Sequence, residues 1–286
     1  MMRESNKLFK FLFTVPIVIY TILLIFLPLI YVFFLSFCKS DPYGGIIYDF
    51  TLSNYLTIFD ITYINILLKS FLIGIIATIL CICISYPFAL ILRTKSDKVK
   101  NLMTKLVMIP FLTNSLIRTY GWIVLLRKHG VINSGLISLG IINHPLNLMY
   151  NNLGIIIGMT YTLLPFMILP VCSSVFKIDN SHVEAARDLG AKPFQIFKNI
   201  IFPQTKSGVF NGSLMVFIPA IGYFFISDIL GGGKAMIIGN LIKNQFLVAR
   251  NWPFGAAISI FLIFITFLLV RIYQSLGGKL DDLGGM

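Results

Sequence analysis

The chain has 286 residues, of which 57% are hydrophobic and only 12% charged, and its mean hydropathy is +0.88. A soluble domain is about 25% charged, so this composition excludes a water-clothed globular protein and requires membrane-spanning segments. Lys and Arg number 23 against 11 Asp and Glu, a net charge of +12, which would suit a nucleic-acid binder only if it gathered on one solvated face.

A spanning helix needs about 20 predominantly apolar residues. Six stretches qualify: 11–37, 70–92, 106–126, 153–176, 208–230 and 254–276. They are too long and too evenly apolar for the alternating strands of a barrel. The sequence therefore predicts an all-α membrane protein with six transmembrane helices, forming a single domain over 1–286. The first stretch follows Arg3, Lys7 and Lys10, as in a signal peptide. It exceeds an h-region of about 7–15 residues and no small-x-small cleavage site follows, so it is read as a retained span. Seven prolines fall inside these stretches (Pro16, Pro28, Pro87, Pro110, Pro165, Pro170 and Pro219) and predict bends. Gly154 and Gly158 predict close helix packing.

The cations sort by side. The N-terminus, the 93–105 loop, the 177–207 loop and the tail carry fifteen Lys and Arg, whereas the opposite loops carry seven: Lys39, Lys69, Arg127, Lys128, Lys234, Lys243 and Arg250. Loops rich in Lys and Arg stay cytoplasmic, which places both termini inside. The charge thus reports topology, and nucleic acid is not an expected partner.

Two polar features interrupt the apolar stretches. Arg118 falls past the middle of the third, where a charge costs about 2.5–3.5 kcal/mol, and Asn114 lies one turn before it on the same face. Asp228 ends the fifth, with Phe224 one turn below and Tyr223 beside it. Carboxylates and aromatic faces suit passage of a flexible polycation, so Asp228, Phe224, Tyr223, Asn114 and Arg118 are candidate path residues. A structural Asp228–Arg118 ion pair, or an Asp228 solvated at the interface, is the plainer alternative.

Catalytic and metal signals are missing. Cys38, Cys81, Cys83 and Cys172 have no metal or redox spacing, and His129, His144 and His182 all fall in loops. Gly231-Gly232-Gly233-Lys234 lacks the spacing and the Ser or Thr of a phosphate loop, and reads as a turn. No enzyme is predicted, so uphill transport would draw energy from a partner or an ion gradient.

The loop 177–207 is long for a connection. Ser181 and Glu184 fit a capping box, a short helix runs to Leu189, and Gly190 ends it. Pro193 opens a second helix, predicted to break near Pro203. This elbow can fill a groove on another protein through Val183, Ala186 and Leu189, or rest on lipid as an interfacial hairpin.

Glu184-Ala185-Ala186, three residues, then Gly190 resembles the EAA loop of ABC-importer permeases, and Ile201-Phe202-Pro203 matches its end less closely, the usual Leu being displaced. Two further stretches, Asn114 to Gly121 and Ser227 to Ala257, are similar to those of the spermidine/putrescine (polyamine) importer permeases of the PotB type. The resemblance covers nearly the whole chain and is weakest in the first 50 residues. It implies the type I ABC-importer permease fold, with the loop as a coupling helix in which Glu184, Ala185, Ala186, Gly190 and Pro203 make or shape contact with an ATPase subunit. It also implies a bacterial inner-membrane location and partners: a homologous second permease of the PotC type, two ATPase subunits and a periplasmic polyamine-binding protein. No cofactor is expected on this chain, ATP being used by the partner subunit. The competing reading is a self-contained secondary transporter or channel for a small cation. That class needs intramembrane acids, and Asp228 alone comes near.

Overall fold

Residues 14–233 and 235–275 are described by the computed structural model. Arg3, Lys7, Lys10, Lys234 and Lys279, and the first residues of the opening stretch, lie outside the described residues. Helix α1, Thr14–Leu35, is apolar throughout and buries almost nothing within the chain. It holds a π turn at Ile22–Phe26, and Pro28 follows two residues later. A proline ring collides with the carbonyl four residues before it in an α-helix, and the wider π turn moves those carbonyls aside.

The chain then makes a small hairpin, β1 Lys39–Asp41 with β2 Gly45–Ile47, in the register Lys39↔Ile47 and Asp41↔Gly45. Gly44 takes φ +87 at its turn, and among the described residues the hairpin is the exception to the helical order. Helix α2 is Ser53–Ile58 and α3 is Ile61–Arg93. At 33 residues α3 is about 50 Å long, nine residues longer at its start than the apolar stretch because Lys69 does not stop a helix whose neighbours are all helix-compatible.

The stretch 106–126 departs from the expected single helix. It is divided into α4 (Asp97–Met108), a 3₁₀ turn (Ile109–Leu112) and α5 (Ser115–Leu126). Pro110 starts the tight turn, Thr113 is extended, and the Asn114 side chain caps α5 by accepting from the Leu116 N–H at 2.8 Å. An N-cap competes with helix continuation, so apolarity alone overstated the continuity here. Helix α6 is Val131–Ser138 and α7 is Asn152–Phe176, capped by Asn151.

Helix α8 is Asn180–Asp188, and α9 runs from Pro193 to Gly222 with a π turn at Phe197–Ile201. The expected break at Pro203 is absent: the π turn lies just before Pro203, as it does before Pro28, and the helix continues. The loop expected over 177–207 therefore narrows to α8 and its flanks. Helix α9 meets α10, Phe224–Gly231, at a 63° bend. Pro219 removes a backbone donor one turn before the bend, and Tyr223 leaves helical geometry at ψ 68. Gly232 and Gly233 then turn the chain at φ +60 and +75. Helices α11, Ile238–Leu247, and α12, Trp252–Ser275, complete the order. Among the described residues α1, α3, α7 and α12 are each long and apolar enough to cross a membrane, and the bent α9–α10 pair makes a fifth candidate.

The contacts divide the chain into two units, Met1–Tyr63 with Leu241–Ile265, and Ile64–Asn240 with Thr266–Met286. In the first, Leu35, Cys38 and Ala256 form a small core, and buried Asn54 donates to the Ser36 and Cys38 carbonyls at 3.0 and 2.8 Å. Tyr63 meets Phe254 edge-on at 4.9 Å.

The second unit is organised around α7. Its Ile155, Met159, Leu163, Met167, Val171 and Val175 are fully buried. Glycines admit the neighbouring helices. A methyl group added at Gly208 of α9 would lie 2.6 Å from the Pro170 carbonyl, and one at Gly212 would lie 2.5 Å from Met167 Sδ. On the other side, a methyl at Gly158 would lie 2.4 Å from Leu230 of α10. Gly154 and Gly158 thus serve packing, as the spacing predicts. Gly208→Ala should therefore destabilise the detergent-solubilised protein by about 1–3 kcal/mol, read as a lowered thermal midpoint. Gly135→Ala, where an added methyl meets nothing within 4 Å, should leave that midpoint unchanged or raise it.

Candidate functional site

Two constellations carry the polar chemistry of the second unit. The first is the elbow after α7. Helix α8 is capped by Asp179, whose carboxylate accepts from the Ser181 N–H at 2.9 Å. This corrects the expected cap: Ser181 and Glu184 do not form a capping box. Asp179 precedes two other cap-forming residues, Asn180 and Ser181, so the sequence offered three starts. The chosen start buries Val183 while Glu184, Ala185 and Arg187 face outward. Capping by the Ser181 amide, aided by the neighbouring hydroxyl and His182, holds the Asp179 carboxyl below the ordinary range.

The other end of α8 follows the sequence closely. Gly190 takes φ +79, its N–H bonds to the Arg187 carbonyl at 2.8 Å, and the Ala191 N–H bonds to the Ala186 carbonyl at 3.0 Å. This pair of bonds is the Schellman closure, which requires a left-handed residue between them. Pro193 starts α9, and the Gln195 side chain accepts from the Lys192 N–H at 2.8 Å. The elbow is thus fixed on both sides of Gly190. Leu189 and Phe194 at its apex are 88% and 72% exposed, an apolar tip left uncovered by the described residues. Pro203 does not belong to the tip; it sits in α9, one turn beyond Ile200.

The second constellation surrounds α5 and α10, which pack together and against α7. Asp228 is held by Asn240, whose Nδ2 donates to its carboxylate at 2.6 Å and to the Phe224 carbonyl at 3.1 Å. The same Asn240 accepts from the Ile237 N–H at 3.1 Å. Buried Asn240 thereby ties the turn after Gly233 to one face of α10. Sequence reasoning did not assign it a role, although it belongs to the stretch that carries the resemblance. Phe224 is partly exposed beside Asp228, and Tyr223 at the bend lies 5.2 Å from the Phe225 ring.

Arg118 lies in the first turns of α5 and forms no ion pair with Asp228. Its guanidinium carbon sits 5.7 Å from the Phe111 ring and 5.9 Å from the Tyr161 ring. Nε and Nη1 are buried without a hydrogen-bond partner. Phe111 and Tyr161 are in turn held edge-on by Phe166 and Trp122. Asn114 acts as the α5 cap rather than sharing a polar face with Arg118. Among the described residues no three of His, Cys, Asp and Glu gather as metal ligands would, and Cys38, Cys81, Cys83 and Cys172 are all free thiols.

Similarity to known proteins places this geometry. No family model matches the chain. Its fold is close to that of a chain of a bacterial alginate ABC transporter, crystallised in complex with an alginate pentasaccharide-bound periplasmic protein, with a TM-score of 0.74 over 94% of this chain and 93% of that one at 15% identity. A chain of the MetNI methionine ABC transporter, in an inward-facing conformation, aligns with a TM-score of 0.56 over 74% of this chain and 93% of that one, also at 15% identity. These define the class: the fold is that of the membrane permeases of ABC transporters. The spermidine/putrescine transport system permease protein PotB of Haemophilus influenzae is 41% identical over 95% of each chain. PotB of Escherichia coli is 44% identical over 91% of this chain and 94% of its own length. The chain belongs to this PotB permease family.

Two outcomes test the site. Asn240→Ala leaves the Ile237 N–H and the Phe224 carbonyl without a side-chain partner, so it should cost about 1–3 kcal/mol and lower the thermal midpoint of the complex. For α8, a carboxylate whose folded value is depressed stabilises above its unfolded value and loses that contribution as pH falls through the folded one. Hydrogen exchange of the first α8 amides, corrected for intrinsic rate, should stay constant above the ordinary carboxylate range and accelerate progressively as pH falls from that range through the depressed folded value. Asp179→Asn should keep the cap and abolish that acid dependence.

Proposed function

We propose that this chain is the permease subunit of an ATP-driven polyamine importer, forming half of the translocation pathway for spermidine or putrescine. The observation that carries this reading is the identity of 41–44% with permeases named for that transport system, over nearly the full length of both chains. The partners are a second, homologous permease of the PotC type, two ATPase subunits and a periplasmic polyamine-binding protein. The protein is a multi-pass component of the bacterial inner membrane, with six spans and both termini cytoplasmic, and it carries no cofactor and no ATPase activity of its own.

In this mechanism the elbow transmits force. Glu184, Ala185 and Gly190 lie on its outward surface while Ala186 packs inward against the core and shapes the elbow from behind, and Leu189 and Phe194 enter a cleft of the ATPase subunit. The two closures at Gly190 and Pro193 make it stiff, and α9 continues without a break from the elbow to the 63° bend. ATP-driven approach of the two ATPase subunits therefore moves α9 as a lever. Pro203, seated behind the π turn, lies on that lever and not in the contact. At its far end Tyr223, Phe224 and Asp228 offer the ring faces and carboxylate that a polycation exchanges for water. The charge asymmetry of the loops supports the orientation, with the elbow on the cytoplasmic side.

Two substitutions test the assignment when the full complex is expressed and uptake of labelled spermidine is measured. Gly190→Val forces a branched residue into φ +79 and should abolish uptake with the subunits still assembled, whereas Gly190→Asn, which tolerates left-handed geometry, should retain part of it. Wild-type uptake by Gly190→Val would refute the coupling role. Asp228→Asn should lower uptake at least about tenfold, the scale of one charge-assisted contact, with normal assembly.

A further inference from the structure

Arg118 presents an unsolved electrostatic problem. Two of its three guanidinium nitrogens, Nε and Nη1, are buried without a hydrogen bond. The rings of Phe111 and Tyr161 lie over it at 5.7 and 5.9 Å, but aromatic faces carry no net charge. Among the described residues it enters no ion pair: the pairs formed are Lys39–Asp49 and Lys100–Asp97. The start of α5 adds partial positive charge of its own. A guanidinium so placed calls for an anion.

Depth narrows the source. Helix α7 spans 25 residues, about 37 Å, against a hydrocarbon layer about 30 Å thick. Tyr161 and Phe166 are its tenth and fifteenth residues, and Phe166 packs on Phe111. The guanidinium between Phe111 and Tyr161 therefore sits near mid-depth, away from lipid phosphate on either side. A cationic cargo cannot neutralise it. A carboxylate from another protein chain can.

The approach route is also visible. Arg118 as a whole is only partly buried although its Nε and Nη1 are buried, so the side chain is not sealed off from approach. One turn above Arg118, Gly121 faces open space, an added methyl meeting nothing within 4 Å. Beside it, Ile117, Tyr120 and Val124 form an exposed apolar stripe, 70%, 58% and 58% accessible. This is a helix face bare of side chain at the point where a neighbouring backbone would have to come close to reach Arg118.

We propose that Arg118 forms an intramembrane ion pair with a carboxylate on a spanning helix of the second permease subunit, which packs along Ile117, Gly121 and Val124. The inference rests on the reading that such a subunit pairs with this chain. The pair supplies the counter-charge that α5 lacks, and it fixes which face of this subunit meets its mate. The two rings act as positioning groups that hold the guanidinium in place.

The test uses the whole complex, purified in detergent through a tag on this chain. A photo-crosslinking phenylalanine derivative installed at position 117, with Arg118 intact, should give an adduct with the second permease whose linked peptide lies in a spanning segment holding Asp or Glu. Arg118→Gln should lower recovery of the second permease about tenfold, and Arg118→Lys should restore part of it. Exchanging charges, Arg118→Glu here and the linked acid to Arg there, should recover assembly lost in either single variant. Adducts to lipid alone in an intact complex would overturn the proposal, as would undiminished recovery with Arg118→Gln. If no second permease co-purifies with the wild-type chain, the underlying reading fails instead.

Discussion

Helices in a bilayer gain little from the hydrophobic effect when they meet, because the lipid is as apolar as they are, so they must associate through close van der Waals contact. In this chain that contact is made by α7 with α9 on one side and with α10 on the other. Gly208 and Gly212 bring α9 down onto the Pro170 and Met167 backbone, and Gly154 and Gly158 admit Leu230 of α10. The elbow and Asp228 are carried on these three helices or on the short segments between them, and Arg118 lies on α5, which packs against α7 and α10. The elbow extends from the end of α7 into α9, and Asp228 rides on α10.

Prolines act on this frame in distinct ways. Pro28 and Pro203 each follow a π turn, so the helix passes them without breaking. Pro110 opens a 3₁₀ turn that ends one helix and precedes another, and Pro219 comes one turn before the sharp bend at Tyr223. Pro87, Pro165 and Pro170 lie inside helices that continue with no π turn at all, so a proline alone does not end a helix here, and the sharp bend comes only after Pro219, at Tyr223.

Polar groups inside the second unit are few, and most are tied. Asn240 satisfies three partners at once and fixes Asp228; Asn133 holds the Arg127 and Leu146 carbonyls and the Leu146 amide. Arg118 stands apart because aromatic faces, rather than oxygens, surround it. Buried polar groups are costly unless satisfied, so the contrast between Asn240 and Arg118 separates a completed site from one whose counter-charge lies outside the chain.

Composition and local chemistry determined much of this protein in advance. The run of apolar residues required spanning helices, Gly190 and Pro193 at their spacing from Glu184 required the elbow, and Gly154 with Gly158 required a close neighbour. These are local rules, each acting within a turn or two of chain. The sequence did not reveal that Asp179 rather than Ser181 would cap α8, that 106–126 would divide at Asn114, or that α9 would pass Pro203 unbroken. Each of these is a choice among locally similar alternatives: a cap at Asp179 or at Ser181, a cap at Asn114 or a continued helix, a π turn or a break before Pro203. Nor did it reveal that Asp228 would turn to Asn240 while Arg118 turned to Phe111 and Tyr161. Partners distant in sequence are selected by helix packing, and that selection belongs to the tertiary structure alone.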